Sequence, residues 1–258
     1  MTDTQLLPVI WTLASMVVAV LVTLLFSPAR VQQLRLTLGG RIIEQAARLL
    51  YFIGVPYAAL LTRAIAPIDM GLAGSGGPIL GWTAAEWLHD LSLVLTMGLV
   101  VLIPIGIVGW QMARAGHPMG VDERPPGTIV VDAIYAEVHW AFYRAAPLII
   151  LGEVYGATLI GLALVGVELL VVLVRNGLSR QPEDRQSWLG QLLLLAMSAA
   201  TFILTRNVWL AMVLHSTVEV LLRFWTLRLA RRWTEPAPGE VESIVDPDVR
   251  PLRDQSNV

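Results

Sequence analysis

Long apolar runs alternate with short polar ones from one end of the chain to the other. The apolar blocks occupy residues 6–26, 42–66, 82–110, 128–146, 148–174, 188–204 and 208–225. Helices of this length, rising about 1.5 Å per residue, cross a hydrocarbon core about 30 Å thick. The pattern predicts an all-α, polytopic integral membrane protein with about seven transmembrane helices. The first block has an acidic leader and no small-residue cleavage site, so it reads as a retained anchor, not a signal peptide. Residues 27–41, with Arg30, Arg35 and Arg41, read as an interfacial cytoplasmic segment. Pro56 is expected to kink the second span. Residues 67–81 are glycine-rich and read as a flexible or re-entrant loop. Pro147 is expected to mark a tight turn, and residues 205–207 another. Gly152 and Gly156 have the small-xxx-small spacing that lets membrane helices approach closely.

Arginine placement orients these spans. The loops after spans one, three and five, and the segment after span seven, hold most of the arginines. The positive-inside rule then puts the N-terminus outside and the C-terminus in the cytoplasm. Residues 1–127 form an N-terminal membrane region of three spans. Residues 128–232 form a membrane core of four. Residues 233–258, rich in proline and acids, read as a disordered cytoplasmic tail.

Composition narrows the chemistry. The chain is 55% hydrophobic and 15% charged, against about 25% charged in soluble domains. It has no cysteine, which removes disulfides, thiolate metal sites and cysteine nucleophiles. It has no lysine either, so a phosphate loop of the Walker type and Schiff-base chemistry are excluded. A net charge of −2 without a basic block outside the membrane flanks argues against nucleic acid.

The polar residues that interrupt apolar blocks are the candidate chemistry. A charge in mid-membrane costs about 2.5–3.5 kcal/mol, so such residues face a protein interior or a wet cavity. The fourth span holds Glu137, His139 and Arg144. The seventh holds His215 and Glu219, four apart on one helical face. Counted from the outer face, His139 lies about 12 Å deep, His215 and His89 about 10 Å, Glu153 about 9 Å, Glu137 about 15 Å and Glu219 about 16 Å. Three histidines and several acids thus share one layer. Glu168, about 30 Å beyond the Pro147 turn, falls outside it. Glu137 and His139 point about 200° apart and cannot line one cavity, whereas Glu137 and Arg144 share a face. Two imidazoles with Glu153 or Glu219 suit zinc or another divalent cation with a position left for water. A buried glutamate with a raised pKa would serve as general base. The alternative for each residue is a hydrogen-bonded network that locks helices together; Arg223 is a ready partner for Glu219.

The segment HWAFYR, from His139 to Arg144, resembles a changed EExxxR motif of the CPBP family, the CAAX-protease and bacteriocin-processing membrane proteins. The resemblance extends over about residues 130–222 and is best over 188–219, where His215-Ser-Thr-Val-Glu219 stands at the family's HxxxN. The family's FxxxH falls near residues 164–168. His139 and Trp140 therefore occupy the glutamate positions, Glu168 that of the middle histidine and Glu219 that of the asparagine. Arg144 and His215 match. The resemblance implies a CPBP-like helical bundle in a bacterial inner membrane and metal-dependent hydrolysis of a membrane peptide. On this reading His139, His215 and Glu168 hold the metal, and Glu153, Glu219 and Arg144 are catalytic. Two other classes fit the residues. One is a non-catalytic subunit that stabilises a larger membrane complex through its apolar surface. The other is a haem- or pigment-binding protein of an electron-transfer assembly, its histidines serving as ligands. Transport is weaker, since no inverted repeat is visible.

Overall fold

The structure, a computed structural model, describes residues 3–25, 33, 36–114, 125–175 and 182–234. Among these the chain forms helices α1 (Asp3–Leu25) and α2 (Leu38–Leu49), a π-helical turn (Leu50–Gly54), then α3 (Val55–Leu61), α4 (Ala84–Arg114), α5 (Pro126–Leu151), α6 (Val154–Arg175), α7 (Pro182–Thr205) and α8 (Val208–Thr234). Most of the expected interfacial segment 27–41, most of the polar loop after span three, residues 176–181 of the loop after span five, and the tail beyond Thr234 lie outside the described residues.

Among the described residues, four segments are long and apolar enough to cross a membrane: Leu6–Leu24, Ala84–Gln111, Val154–Val174 and Val208–Arg228. Gly190–Thr205 is apolar but shorter. The chain is a helical membrane protein. Of the seven expected spans, four meet the criterion of length and hydropathy unaided. The fourth block, now α5, carries Asp132, Glu137 and Arg144. It packs against α1, the π turn, α3, α6 and α8. Its residues from Ala141 to Pro147 are all buried. The three charges of this helix are thus carried on an element enclosed by neighbours, as the cost of bare charge in hydrocarbon requires. Large apolar side chains exposed on α1 (Ile10, Leu13, Val17), α4 (Leu95, Leu99, Ile103) and α6 (Leu159, Leu170) cover the outside.

Two cores result. Ala141, Phe142, Tyr143 and Ala145 of α5 pack with Ala59, Ile65, Met70, Val165, Leu195, Val208 and Met212. Val94 of α4 packs with Leu194, Met197, Leu210, Leu214 and Val218 of α7 and α8. Helices α4 and α8 run parallel. A Cβ on Gly98 would lie 3.0 Å from Leu214, and one on Gly106 would lie 2.9 Å from the Trp225 ring, so both helices advance in the same direction.

Several turns differ from expectation. Pro147 makes no turn. It costs α5 one backbone donor within a buried, well-packed stretch, and the helix continues to Leu151. The reversal comes at Gly152, which adopts φ +69° and donates its N–H to the Leu148 carbonyl, a left-handed cap that glycine adopts freely. Gly152 and Gly156 therefore form no helix seam. The glycine that allows close approach is Gly161, where a Cβ would lie 3.2 Å from Arg144 Cα. Pro56 follows a wide turn. It cannot donate to Phe52, and the Val55 N–H bonds back five residues to Leu50. The glycine-rich stretch is an ordered knot whose early residues contact the α7–α8 turn. The Val208 N–H donates to the Gly71 carbonyl at 3.0 Å, and the Trp209 indole donates to the Leu72 carbonyl at 3.1 Å. Gly76 and Gly77 both donate to the Gly81 carbonyl.

Candidate functional site

Helix α5 presents two polar faces, and each meets different neighbours. Asp132, Tyr135, His139 and Tyr143 recur at spacings of three and four, so they line one face. That face meets α1, the π turn and α6. His139 Nε2 lies 3.1 Å from Glu168 Oε2. The Tyr51 hydroxyl donates to Glu168 Oε1 at 2.7 Å, and the Tyr143 hydroxyl donates to the same oxygen. The Ser15 side chain sits 3.5 Å from the Tyr143 hydroxyl. Phe52 packs edge-on against the imidazole, with ring centroids 5.2 Å apart. The π turn places Tyr51 here, and π turns inside helices often mark functional positions. Nearby, Arg48 pairs with Asp132 at 2.5 Å and lies over the Tyr135 ring. His139 Nδ1 is buried and has no hydrogen-bond partner among the described residues.

The other face carries Glu137, Trp140 and Arg144 and meets α7 and α8. Glu137 is fully buried. Its Oε1 lies 2.9 Å from His215 Nδ1, and its Oε2 accepts the Ser198 hydroxyl at 2.6 Å. His215 Nε2 faces Glu219 at 3.9 Å. Trp140 stacks on the His215 ring at 5.4 Å. Together they form a chain from serine to carboxylate to imidazole to carboxylate that spans three helices. The serine bonds the carboxylate and not the imidazole, which is not the arrangement of an activated nucleophile. The buried carboxylate instead fixes the orientation of the ring, with Nε2 directed toward Glu219.

Arg144 is also buried, its guanidinium 4.1 Å from the Phe202 ring centroid. It shares a face of α5 with Glu137, but no salt bridge within 4 Å joins the two among the described residues. Nε and Nη2 of Arg144 have no hydrogen-bond partner among the described residues, and the aromatic face is the contact it makes instead.

The candidate residues are therefore distributed, not gathered. His139 and Glu168 touch. His215 and Glu219 approach each other on a different side of α5. A turn at Pro147 puts Glu168 outside the polar layer. With the turn at Gly152, His139 lies 13 residues before it and Glu168 16 after, at about 20 and 24 Å, within side-chain reach. Glu153 joins neither cluster. It is exposed and caps α6, accepting the Gly156 N–H at 2.7 Å, a favourable place for a carboxylate. His89 is exposed in the first turns of α4, apart from the other two histidines. Among the described residues, no three His, Cys, Asp or Glu side chains are gathered as a metal site would require. Tyr51, Tyr143 and Ser198 were not singled out from sequence. Tyr143 was findable, four residues after His139 on its face; Tyr51 and Ser198 carry no sequence signal.

Comparison of the chain with protein-family models, with curated proteins and with solved structures finds no match.

Proposed function

We propose that the protein is a non-catalytic membrane scaffold subunit on a CPBP-like frame, its polar helix α5 serving as the keystone of the bundle. The observation that carries this is the use of both faces of α5. Glu137 ties it to α7 and α8, and His139 and Tyr143 tie it through Glu168 to α6 and the Tyr51 turn. Interhelical bonds of this kind fix helices against one another where the bilayer supplies no hydrophobic force between them. The resemblance to the CPBP family is supported by the contact of His139 with Glu168. The residue pair that the family carries as glutamate and histidine is present with the two types exchanged. Seven crossings, with the arginine-rich ends of α4 and α8 in the cytoplasm, complete the reading. The lipid-facing apolar surface suits partner subunits.

The donors present do not assemble the metal set His139, His215 and Glu168, and no step is derived through a metal. One observation favours a second reading, hydrolysis by general base. Glu137 holds His215 by Nδ1 and leaves Nε2 beside Glu219, the orientation of a base awaiting a proton.

The test is purification of the protein from its native membrane in mild detergent, with His215→Ala alongside. The scaffold reading expects the protein to co-migrate with a stoichiometric partner, and expects no peptide-cleaving activity that His215→Ala abolishes. A monomer that cleaves membrane peptides, and loses that activity in a folded His215→Ala variant, would overturn it in favour of the second reading.

A further inference from the structure

The parallel pair α4–α8 leaves a groove on the outside of the bundle, away from both polar clusters. Two adjoining hollows of about 440 and 480 Å³ share Leu102, Trp110 and Trp225. Each falls in the size range of small-ligand sites, roughly 300–1,000 Å³. The walls are apolar: Leu99, Ile103 and Ile107 from α4, with Leu221 and Phe224 from α8. Gly106 makes the depth, since a side chain there would meet the Trp225 ring.

One end of the groove is different in kind. Arg228 lines it and stacks its guanidinium 4.3 Å from the Phe224 ring centroid. Arg114, at the last turn of α4, stacks 4.0 Å from the Trp110 ring centroid. Because the helices run parallel, both arginines stand at the same end, and each rests on an aromatic ring of the groove. None of the lining residues is acidic. Trp110 and Trp225 are residues of the kind that mark the headgroup level. An apolar slot with one arginine in its wall, and a second on a groove tryptophan at the same end, is complementary to one class of molecule: an acyl chain joined to an anionic headgroup.

We propose that the α4–α8 groove is a binding seat for an anionic phospholipid, with an acyl chain along the apolar walls and the phosphate between Arg228 and Arg114. The seat lies at the arginine-rich membrane face. It does not depend on whether the polar clusters are structural or catalytic.

The experiment uses the full chain in detergent, exchanged into mixed micelles of either dioleoylphosphatidylglycerol or dioleoylphosphatidylcholine. Native mass spectrometry counts retained lipid, and thermal unfolding reports stabilisation. The expected result is retention of phosphatidylglycerol in preference to phosphatidylcholine, weakening as salt is raised. Arg114→Gln with Arg228→Gln should weaken retention about 30-fold, roughly fivefold per arginine. Ile103→Trp, which fills the slot and spares both arginines, should reduce retention of both lipids. Equal retention of the two lipids, or a double variant that retains phosphatidylglycerol like the wild type, would overturn the proposal. A dimer in phosphatidylcholine that Ile103→Trp dissociates would also overturn it, by showing a second copy in the groove.

Discussion

Removing the Glu137 side chain should loosen the bundle more than any other single truncation in the polar network. Glu137→Ala deletes two interhelical bonds at once, to His215 Nδ1 at 2.9 Å and from Ser198 Oγ at 2.6 Å. It also strands both partners in a site with no exposure. Hydrogen bonds between membrane helices average about 0.6 kcal/mol and reach about 1.7. Breaking a buried pair in a soluble core costs about 3–5 kcal/mol. Two bonds plus an unfilled void put Glu137→Ala at about 2–3 kcal/mol, with Ser198→Ala at about 1 kcal/mol. Glu137→Gln separates charge from hydrogen bonding. Its carbonyl still accepts from the imidazole and its amide reaches Ser198, so a loss of roughly 1 kcal/mol is expected. The assay is reversible unfolding in mixed micelles followed by tryptophan fluorescence. A double-mutant cycle of Glu137→Ala with His215→Ala should show a coupling of roughly 0.5–1.5 kcal/mol. If Glu137→Ala sits within about 0.5 kcal/mol of the wild type, or adds to His215→Ala without coupling, α5 is not held by this chain of bonds.

The same assay reads three further changes. Tyr51→Phe and Tyr143→Phe each remove a hydroxyl from Glu168; each should cost about 1 kcal/mol, and the pair together should depart from the sum because they share one acceptor oxygen. Gly77→Ala should be severely destabilising, because a Cβ there would overlap the Trp82 backbone, whereas Gly76→Ala, with nothing within 4 Å, should be near neutral; equal effects would show that the knot is not packed as described. Asn207→Ala removes the cap that accepts the Trp209 and Leu210 N–H groups, and a loss of about 1–2 kcal/mol is expected, with amide exchange at those two positions rising first.

Helix and membrane were legible in the order of residues, because burial of apolar faces and the cost of bare charge act over whole segments; the shared polar layer was not, since His89 and Glu153 lie exposed outside both clusters and Glu168 lies within one. The 200° offset between Glu137 and His139 correctly foretold that they serve different sides of α5, since helical angle depends only on spacing. What failed was the placement of one turn. Pro147 advertises a break, yet a helix loses only one bond at an interior proline when packing compensates. Gly152, which makes the reversal, looks in sequence like half of a packing motif. That shift of five residues moved Glu168 from outside the layer into contact with His139. Glu153 reads as a candidate ligand about 9 Å deep because its role as a cap depends on a helix start that a turn at Pro147 conceals. The Gly-rich stretch read as loose because glycine signals freedom and close approach alike; at Gly71, with φ +72° and Arg206 O only 2.6 Å from where a Cβ would sit, it is both. Tyr51 could not have been placed without the π turn that aims it.

Enclosure of α5 has a consequence for how the protein is made. A nascent chain is offered to the bilayer segment by segment, and each must partition on its own hydrophobicity unless something waits for it. With each Asp or Arg at a helix centre costing about 2.5–3.5 kcal/mol, α5 is a poor client of the insertion machinery, while α6 is among the most apolar segments in the chain. The short Gly152 link makes the two a hairpin, and Gly161 seats α6 directly on the backbone at Arg144. If α5 crosses the bilayer, as the seven-crossing reading proposes, the α5–α6 hairpin is the unit expected to enter it. A chain released after Leu151 should then leave α5 outside the bilayer, and one released after Arg175 should bring it in.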